Sequence, residues 1–186
     1  MIELSKTKIS NLGEVVGGGT PSTADKNNYS THGISWITPK DLAEHSFRYI
    51  ERGERDISEQ GLKSSSARLL PAGSILFSSR APIGYVAIAK NQLTTNQGFR
   101  SIIPNDKVIP EFLYYLLKFN KNKIEKNAGG STFKEISGST LSETEVIIPL
   151  DINTQKSIAD LLGYIDSKIE TNIRINDNLF NNDLTI

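Results

Sequence analysis

The sequence contains no cysteine and only two histidines, His32 and His45. Disulfides, thiolate catalysis and every cysteine-containing zinc site are thereby excluded, and two histidines are too few for the usual zinc sets, so no metal site is expected. No stretch approaches the roughly 18 to 20 apolar residues of a membrane span, and the N-terminal MIELSKTKIS has no apolar secretory core. The expectation is a cytoplasmic protein with no membrane contact. Net charge is missing too: 21 Lys and Arg balance 21 Asp and Glu. A nucleic-acid binder needs cations to neutralise phosphate, so charge alone does not point to DNA. The charges are unevenly placed, with 18 basic against 15 acidic residues in 1–150 and 3 against 6 in 151–186. The basic residues therefore lie mainly in the body and the acidic excess in the tail.

Catalytic signatures are absent as well. There is no phosphate-binding G-x-x-x-x-G-K-[ST] loop and no G-x-G-x-x-G fingerprint; Gly17-Gly-Gly-Thr is a glycine cluster without that spacing. A G-x-S-x-G nucleophile elbow is also missing. The N-P-P-Y or D-P-P-Y tetrapeptide of DNA methyltransferases does not occur, nor does Glu-x-Lys. The sole Asp-x-Lys, Asp166 to Lys168, falls in a helical pattern where a solvated face is the ordinary reading. The chain is expected to bind and not to catalyse, with no cofactor.

What is present is a folded-protein composition, 37% hydrophobic and 23% charged, long enough for one domain with an appended element. Segments Ser74 to Ser78, Gly84 to Ala89 and Gly98 to Ile103 carry the branched and aromatic residues of strands, as do Ile34 to Pro39 and Thr144 to Leu150. Gly13 to Ser22 ends in a glycine loop, 40–66 reads as a polar stretch, and Asn127 to Ser139 as a glycine-rich loop. Pro110 to Asn120 changes to a helical period behind a proline. From Thr154, a good N-cap residue, apolar residues Ile158, Leu162, Ile165, Ile169, Ile173 and Phe180 keep helical spacing. Eleven-residue intervals, as from Ile158 to Ile169 to Phe180, hold that stripe on one face. A helix from 154 to 180 is about 40 Å long, more than the body needs for its own core. The predicted fold class is α+β: a mixed β-sheet domain with short helices over 1–150, then a long coiled-coil-type helix over 151–186. Either the helix is an ordinary amphipathic core helix or part of its stripe finds a second partner.

Seven segments, taken in order, resemble the target-recognition domain and following helix of type I restriction-modification specificity subunits. They are GGGTPS at 17–22, GISWITPKDL at 33–42, LPAGSILFSSRAPIG at 70–84, LTTNQGFRSIIP at 93–104, FLYYLL at 112–117, GGSTFKEIS at 129–137, and IIPLDINTQKSIADLLGYIDSKIETNIRIN at 147–176. The resemblance implies a non-catalytic subunit that selects a bipartite double-stranded DNA site for partner DNA methyltransferase (modification) subunits and a restriction subunit. Full-length members carry two recognition domains and two antiparallel helices, whereas this chain has one of each, as a half-length or truncated form would. The resemblance therefore leaves open self-association through the helix stripe, a silent or decoy cassette acting only through the helix, or a recognition domain from a fused methyltransferase-nuclease.

Within that reading, Arg80 and Arg100 are candidate bidentate donors to guanine, and Asn96 and Gln97 candidate partners of adenine. Surface ion pairs and turn hydrogen bonds are the alternative roles of the same four residues. Gly18, Gly19, Thr20, Ser79, Ser131, Thr132 and Lys134 are candidate DNA contacts through backbone N–H groups, hydroxyls and a point charge, with turn formation as the alternative. Trp36, Tyr114 and Tyr115 are expected in the core.

Overall fold

The computed structural model describes residues 2–130 and 134–183, with side chains described as far as Leu179. In chain order the strands are β1 (Leu4–Lys8), β2 (Gly13–Gly17), β3 (Tyr29–Ser30), β4 (Ile34–Ile37), β5 (Tyr49–Ile50), β6 (Arg55–Ile57), β7 (Ile75–Phe77), β8 (Val86–Ala89), β9 (Thr94–Thr95), β10 (Arg100–Pro104) and β11 (Glu145–Pro149). The helices are α1 (Pro39–Ala43), α2 (Glu59–Lys63), α3 (Pro110–Lys126), α4 (Gly138–Glu143) and α5 (Ile152–Asp183). The fold is α+β, with mixed sheets and a long C-terminal helix.

A five-stranded sheet in the order β2-β10-β7-β8-β5 forms the centre. Its middle strand β7 is buried at all three residues, as an apolar Ile-Leu-Phe run covered on both faces should be. One face packs against α3, whose Leu113 and Leu117 are fully buried alongside Ile75 and Phe77. Each such side chain contributes about 1.5–3 kcal/mol on leaving water. The other face meets Ile37, Leu42 and Leu93, which come from or lie beside the four-stranded sheet β3-β6-β4-β9 and helix α1. Strands β1 and β11 pair antiparallel from Leu4↔Pro149 to Lys8↔Glu145, so the first strand and the last close on each other.

The polar stretch 40–66 is more ordered than its composition predicts. It contains α1, β5, β6 and α2, each short and each fixed by local capping or by a long-range pair. Helix α1 starts with a capping box between Thr38 and Asp41 behind Pro39, and Ser58 caps α2 by accepting from the Gly61 N–H. The glycine-rich loop ends earlier than expected, because Ser137 caps α4 by accepting from the Thr140 N–H.

Helix α5 begins before Thr154. Asp151 is the cap: its carboxylate accepts from the Thr154 N–H at 2.9 Å and hydroxyl at 2.8 Å, and from the Asn153 N–H at 3.3 Å. Thr154 sits inside the first turn instead. At 32 residues the helix is about 48 Å long. Gln155 pins its start to the body. The side chain is fully buried; its amide donates to the carbonyls of Lys107 and Pro149 at 3.0 Å and accepts from the Ile109 N–H at 3.2 Å. No helix among the described residues is long and apolar enough to cross a membrane.

Candidate nucleic-acid interface

Four loops meet at one end of the central sheet. Strand β2 leaves it at Gly17, opposite Arg100, and the chain continues through Gly18 and Gly19 alongside the turn at Asn96 and Gln97. A Cβ on Gly18 would overlap the Asn96 carbonyl oxygen, and one on Gly19 would overlap the backbone at Ala67. The glycines are therefore required by backbone proximity. Gly19 has its N–H on the Thr95 carbonyl and its own carbonyl on Trp36 Nε1, both at 2.9 Å. The N–H proposed for phosphate is already in use. Thr20, next along, is exposed and donates to the side-chain oxygen of Gln97, which is also exposed.

Asn96 is a framework residue. Its N–H bonds the Ile37 carbonyl at 2.9 Å and its side-chain oxygen accepts from the Gly98 N–H at 2.8 Å, which closes the turn that presents Gln97. Ser79 is likewise internal, with its side chain fully buried. Its N–H reaches the Gly98 carbonyl at 2.8 Å, and its carbonyl accepts from the Ile136 N–H at 2.9 Å. One buried backbone unit thus ties the β7 exit to both neighbouring loops and leaves the next side chain, Arg80, pointing outward.

The fourth loop closes on itself where Gly129 and Glu135 exchange backbone bonds of 2.9 and 3.1 Å. Glu135 stands between the two arginines. Arg100 Nη2 is 3.1 Å from Glu135 Oε1, and Arg80 Nη1 is 3.7 Å from Oε2. Arg100 is further tethered by Nη1 to the carbonyls of Phe99 at 2.8 Å and Gln97 at 3.3 Å. Lys134 is exposed beside them, and the Lys121 side chain of α3 lies against Gly84 at the end of the Arg80 turn. Ser131 and Thr132 lie outside the described residues. The result is a ledge of Thr20, Gln97, Arg80, Arg100 and Lys134: donors and acceptors on loops, backed by a rigid sheet.

All five ledge residues were candidates in the sequence; Glu135 and Lys121, whose partners are distant in the chain, were not. The only local hint of Lys121 was the glycine at 84, which leaves room for it. Trp36 and Tyr114 are buried, as expected. Tyr115 is half-buried, and its hydroxyl donates to Asp166 of α5 at 2.8 Å.

Such a ledge offers the kinds of donor and acceptor that base edges match. The profile of the Type I restriction modification DNA specificity domain matches residues 1–180. The chain belongs to that family. It is 54% identical over 172 residues to the type I restriction enzyme MjaIX specificity subunit of Methanocaldococcus jannaschii, covering 91% of this chain and 39% of that protein. It is 28% identical to the EcoR124I/EcoR124II specificity subunit of Escherichia coli, covering 89% of this chain and 41% of that one. The specificity domain spans about two-fifths of the length of these relatives. Among solved structures it superposes on the S subunit of a type I restriction-modification system from M. genitalium with a TM-score of 0.64 at 23% identity, over 96% of this chain and 44% of that one. A type I R-M system structure concerned with complex assembly and conformational transition gives 0.72 at 18% identity, over 95% and 41%. These two matches show a shared fold.

The second surface of this specificity domain is α5. The body takes up Ala159, Gly163, Asp166 and Glu170, each one position after a residue of the apolar stripe. Ala159 is buried in the core beside Ile158, and Gly163 passes beneath the Arg48 guanidinium, where a Cβ would collide with it. Arg48 donates to Ser167 Oγ at 2.9 Å and lies 3.5 Å from Glu170 and 4.0 Å from Asp166. Farther along α5, Arg174 lies over the Phe47 ring, 5.1 Å from its centroid. Of the stripe itself, Ile158, Leu162 and Ile173 are half-buried, while Ile165 and Ile169 are exposed. Phe180 lies beyond the described side chains. Leu161, Tyr164 and Leu179 are 65%, 64% and 59% exposed, so the apolar face on the solvent side is broader than the stripe.

Proposed function

We propose that the chain is a non-catalytic DNA-reading component, with residues 1–150 as the recognition domain and 151–186 as spacer and docking helix. It reads one half of a bipartite duplex site through the ledge and directs methyltransferase and restriction subunits there. The observation that carries this is the convergence of Arg80, Arg100, Gln97 and Thr20, from three separate loops, on one face of a chain in the specificity family. Bidentate guanidinium contacts to guanine and amide contacts to adenine are the chemistry by which side chains distinguish base pairs in the major groove. Lys134, and Lys121 beside Gly84, supply sequence-independent phosphate contacts at the rim. The exposed face of α5 supports pairing of two copies, which would place two reading domains on one site.

The test is a binding selection on random duplexes, with the modification subunits of the same system present. A two-part motif is expected. Arg80→Ala or Arg100→Ala should relax preference at one base position, whereas Lys134→Ala should weaken all sequences about equally. No enrichment together with no capture of the modification subunits would overturn the reading. The exposed α5 face also favours a second reading, a decoy that occupies modification subunits through the helix alone. It requires that ledge substitutions leave partner binding unchanged and that Ile169→Asp abolish it, with no motif enriched.

A further inference from the structure

Arg80, Arg100 and Glu135 form a three-member cluster on the reading ledge, built from segments far apart in the chain. The backbone holds it in place. Ile136, next to Glu135, donates to the carbonyl of Ser79, next to Arg80, and Ser79 donates to Gly98, two residues before Arg100. Both oxygens of one carboxylate are engaged, each by a different guanidinium. Two cations that the proposed function requires at base edges are thus already paired before DNA arrives.

We propose that Glu135 is a specificity-determining residue that withholds Arg80 and Arg100 from phosphates and yields them to a matching base edge; this rests on the reading face assigned above. Discrimination is a difference of affinities, and it improves when the competing complex is penalised. A phosphate that takes a guanidinium fork brings its own negative charge against Glu135, so the carboxylate penalises it, whereas the two acceptors of guanine in the major groove match the same fork without that repulsion. The two arginines are not equivalent. Arg100, with three acceptors and a side chain 23% exposed, is the anchored member; Arg80, at 3.7 Å from Glu135 and 41% exposed, is the one released first.

The test uses the full chain and a random-sequence duplex, with binding followed by fluorescence anisotropy over a salt series. Glu135→Gln keeps the shape and removes the charge. It should bind this non-specific duplex more tightly, with a log affinity against log salt slope steeper by about 0.9 to 1.8, for one or two freed cations. Glu51→Gln is the control. It removes the same charge from an ion pair with Lys90, past the end of β8 remote from the Arg80 turn, and should match wild type. Glu135→Asp retains the charge and should keep the wild-type slope even if the loop shifts; a steeper slope there would exclude charge pairing as the cause. In an Arg80→Ala/Arg100→Ala background, Glu135→Gln should add nothing beyond the control. If Glu135→Gln binds this duplex as wild type does while each arginine variant still relaxes preference at one position of the selected motif, the role given to Glu135 is wrong and the reading face stands. If the arginine variants leave that motif unchanged too, the reading face itself falls.

Discussion

Glu170, in the middle of α5, accepts a hydrogen bond from the backbone N–H of Arg48 at 3.0 Å, and the same carboxylate oxygen lies 3.5 Å from Arg48 Nε. The two residues are 122 positions apart in sequence. Their pairing joins the body to the helix. Arg48 Nε, although buried, makes no hydrogen bond of its own, so it is held there by the charges of Glu170 and Asp166. Beyond the packed Ala159, the direction in which the helix leaves the body is thus fixed by the polar partners of Arg48 and Tyr115 over a glycine.

Arg48→Ala should therefore destabilise the chain by about 2–3 kcal/mol, because it takes the cation from two largely buried carboxylates. Each is left with a single hydrogen-bond donor, the Tyr115 hydroxyl for Asp166 and the backbone N–H of residue 48 for Glu170. The measurement is the urea midpoint at neutral pH. Hydrogen exchange should accelerate at 163–172 before it does in β7 or β10, and uniform acceleration would argue against a local joint.

Gln155 satisfies two backbone carbonyls and one backbone N–H in a fully buried position. Gln155→Leu should cost about 2–4 kcal/mol despite its similar volume, since an unpaired buried polar group costs about 1–3 kcal/mol. Thermal melts of the two proteins provide the comparison. An unchanged midpoint would mean that water replaces the amide.

The alkaline limb of stability should depend on Tyr49. Burial, and then the hydrogen bond its hydroxyl donates to Glu111, push its pKa from 10.0 up to about 12. The folded state holds this proton more tightly than the unfolded chain. The stability it contributes is complete below pH 10 and is lost as pH rises from 10 towards 12. Denaturant titrations across that range should show a fall that Tyr49→Phe flattens.

Ile169→Asp places a charge on a residue that is 50% exposed. The isolated fold should change by less than about 0.5 kcal/mol. Sedimentation at micromolar concentration should shift from dimer to monomer. A wild-type chain that is monomeric there, and stays so beside its modification subunits, would remove the symmetric pairing.

Gly18→Ala, by contrast, should disturb the ledge from behind. The added Cβ overlaps the Asn96 carbonyl oxygen, and forcing an extra carbon into packed structure costs about 1–3 kcal/mol. DNA binding should weaken along with the melting temperature. Weakened binding at an unchanged melting temperature would indicate that Gly18 touches DNA directly.

The amino-acid order alone determined the longer elements and the turns that carry Arg80 and Gln97, but not the short elements of 40–66. Runs of branched and aromatic residues specified β7, β8 and β10, and the helical period specified α3 and α5, because those patterns depend on neighbours a few positions away. The turns carrying Arg80 and Gln97 were legible for the same reason, as were the family segments. Tertiary structure decided the tasks of individual side chains. Of the candidate DNA contacts, Asn96 closes its own turn on Gly98 while Ser79 and Gly19 are committed to the backbone of other segments, and the helix cap is Asp151 in place of Thr154. The face of α5 that meets the body lies one residue beyond the apolar stripe, because Arg48 and Tyr115 offer polar partners and Gly163 leaves room for the guanidinium. Glu135 acquired its role only when the fold placed it between two arginines. Local periodicity is encoded by spacing along the chain, whereas which polar atom finds which partner depends on loops brought together in space.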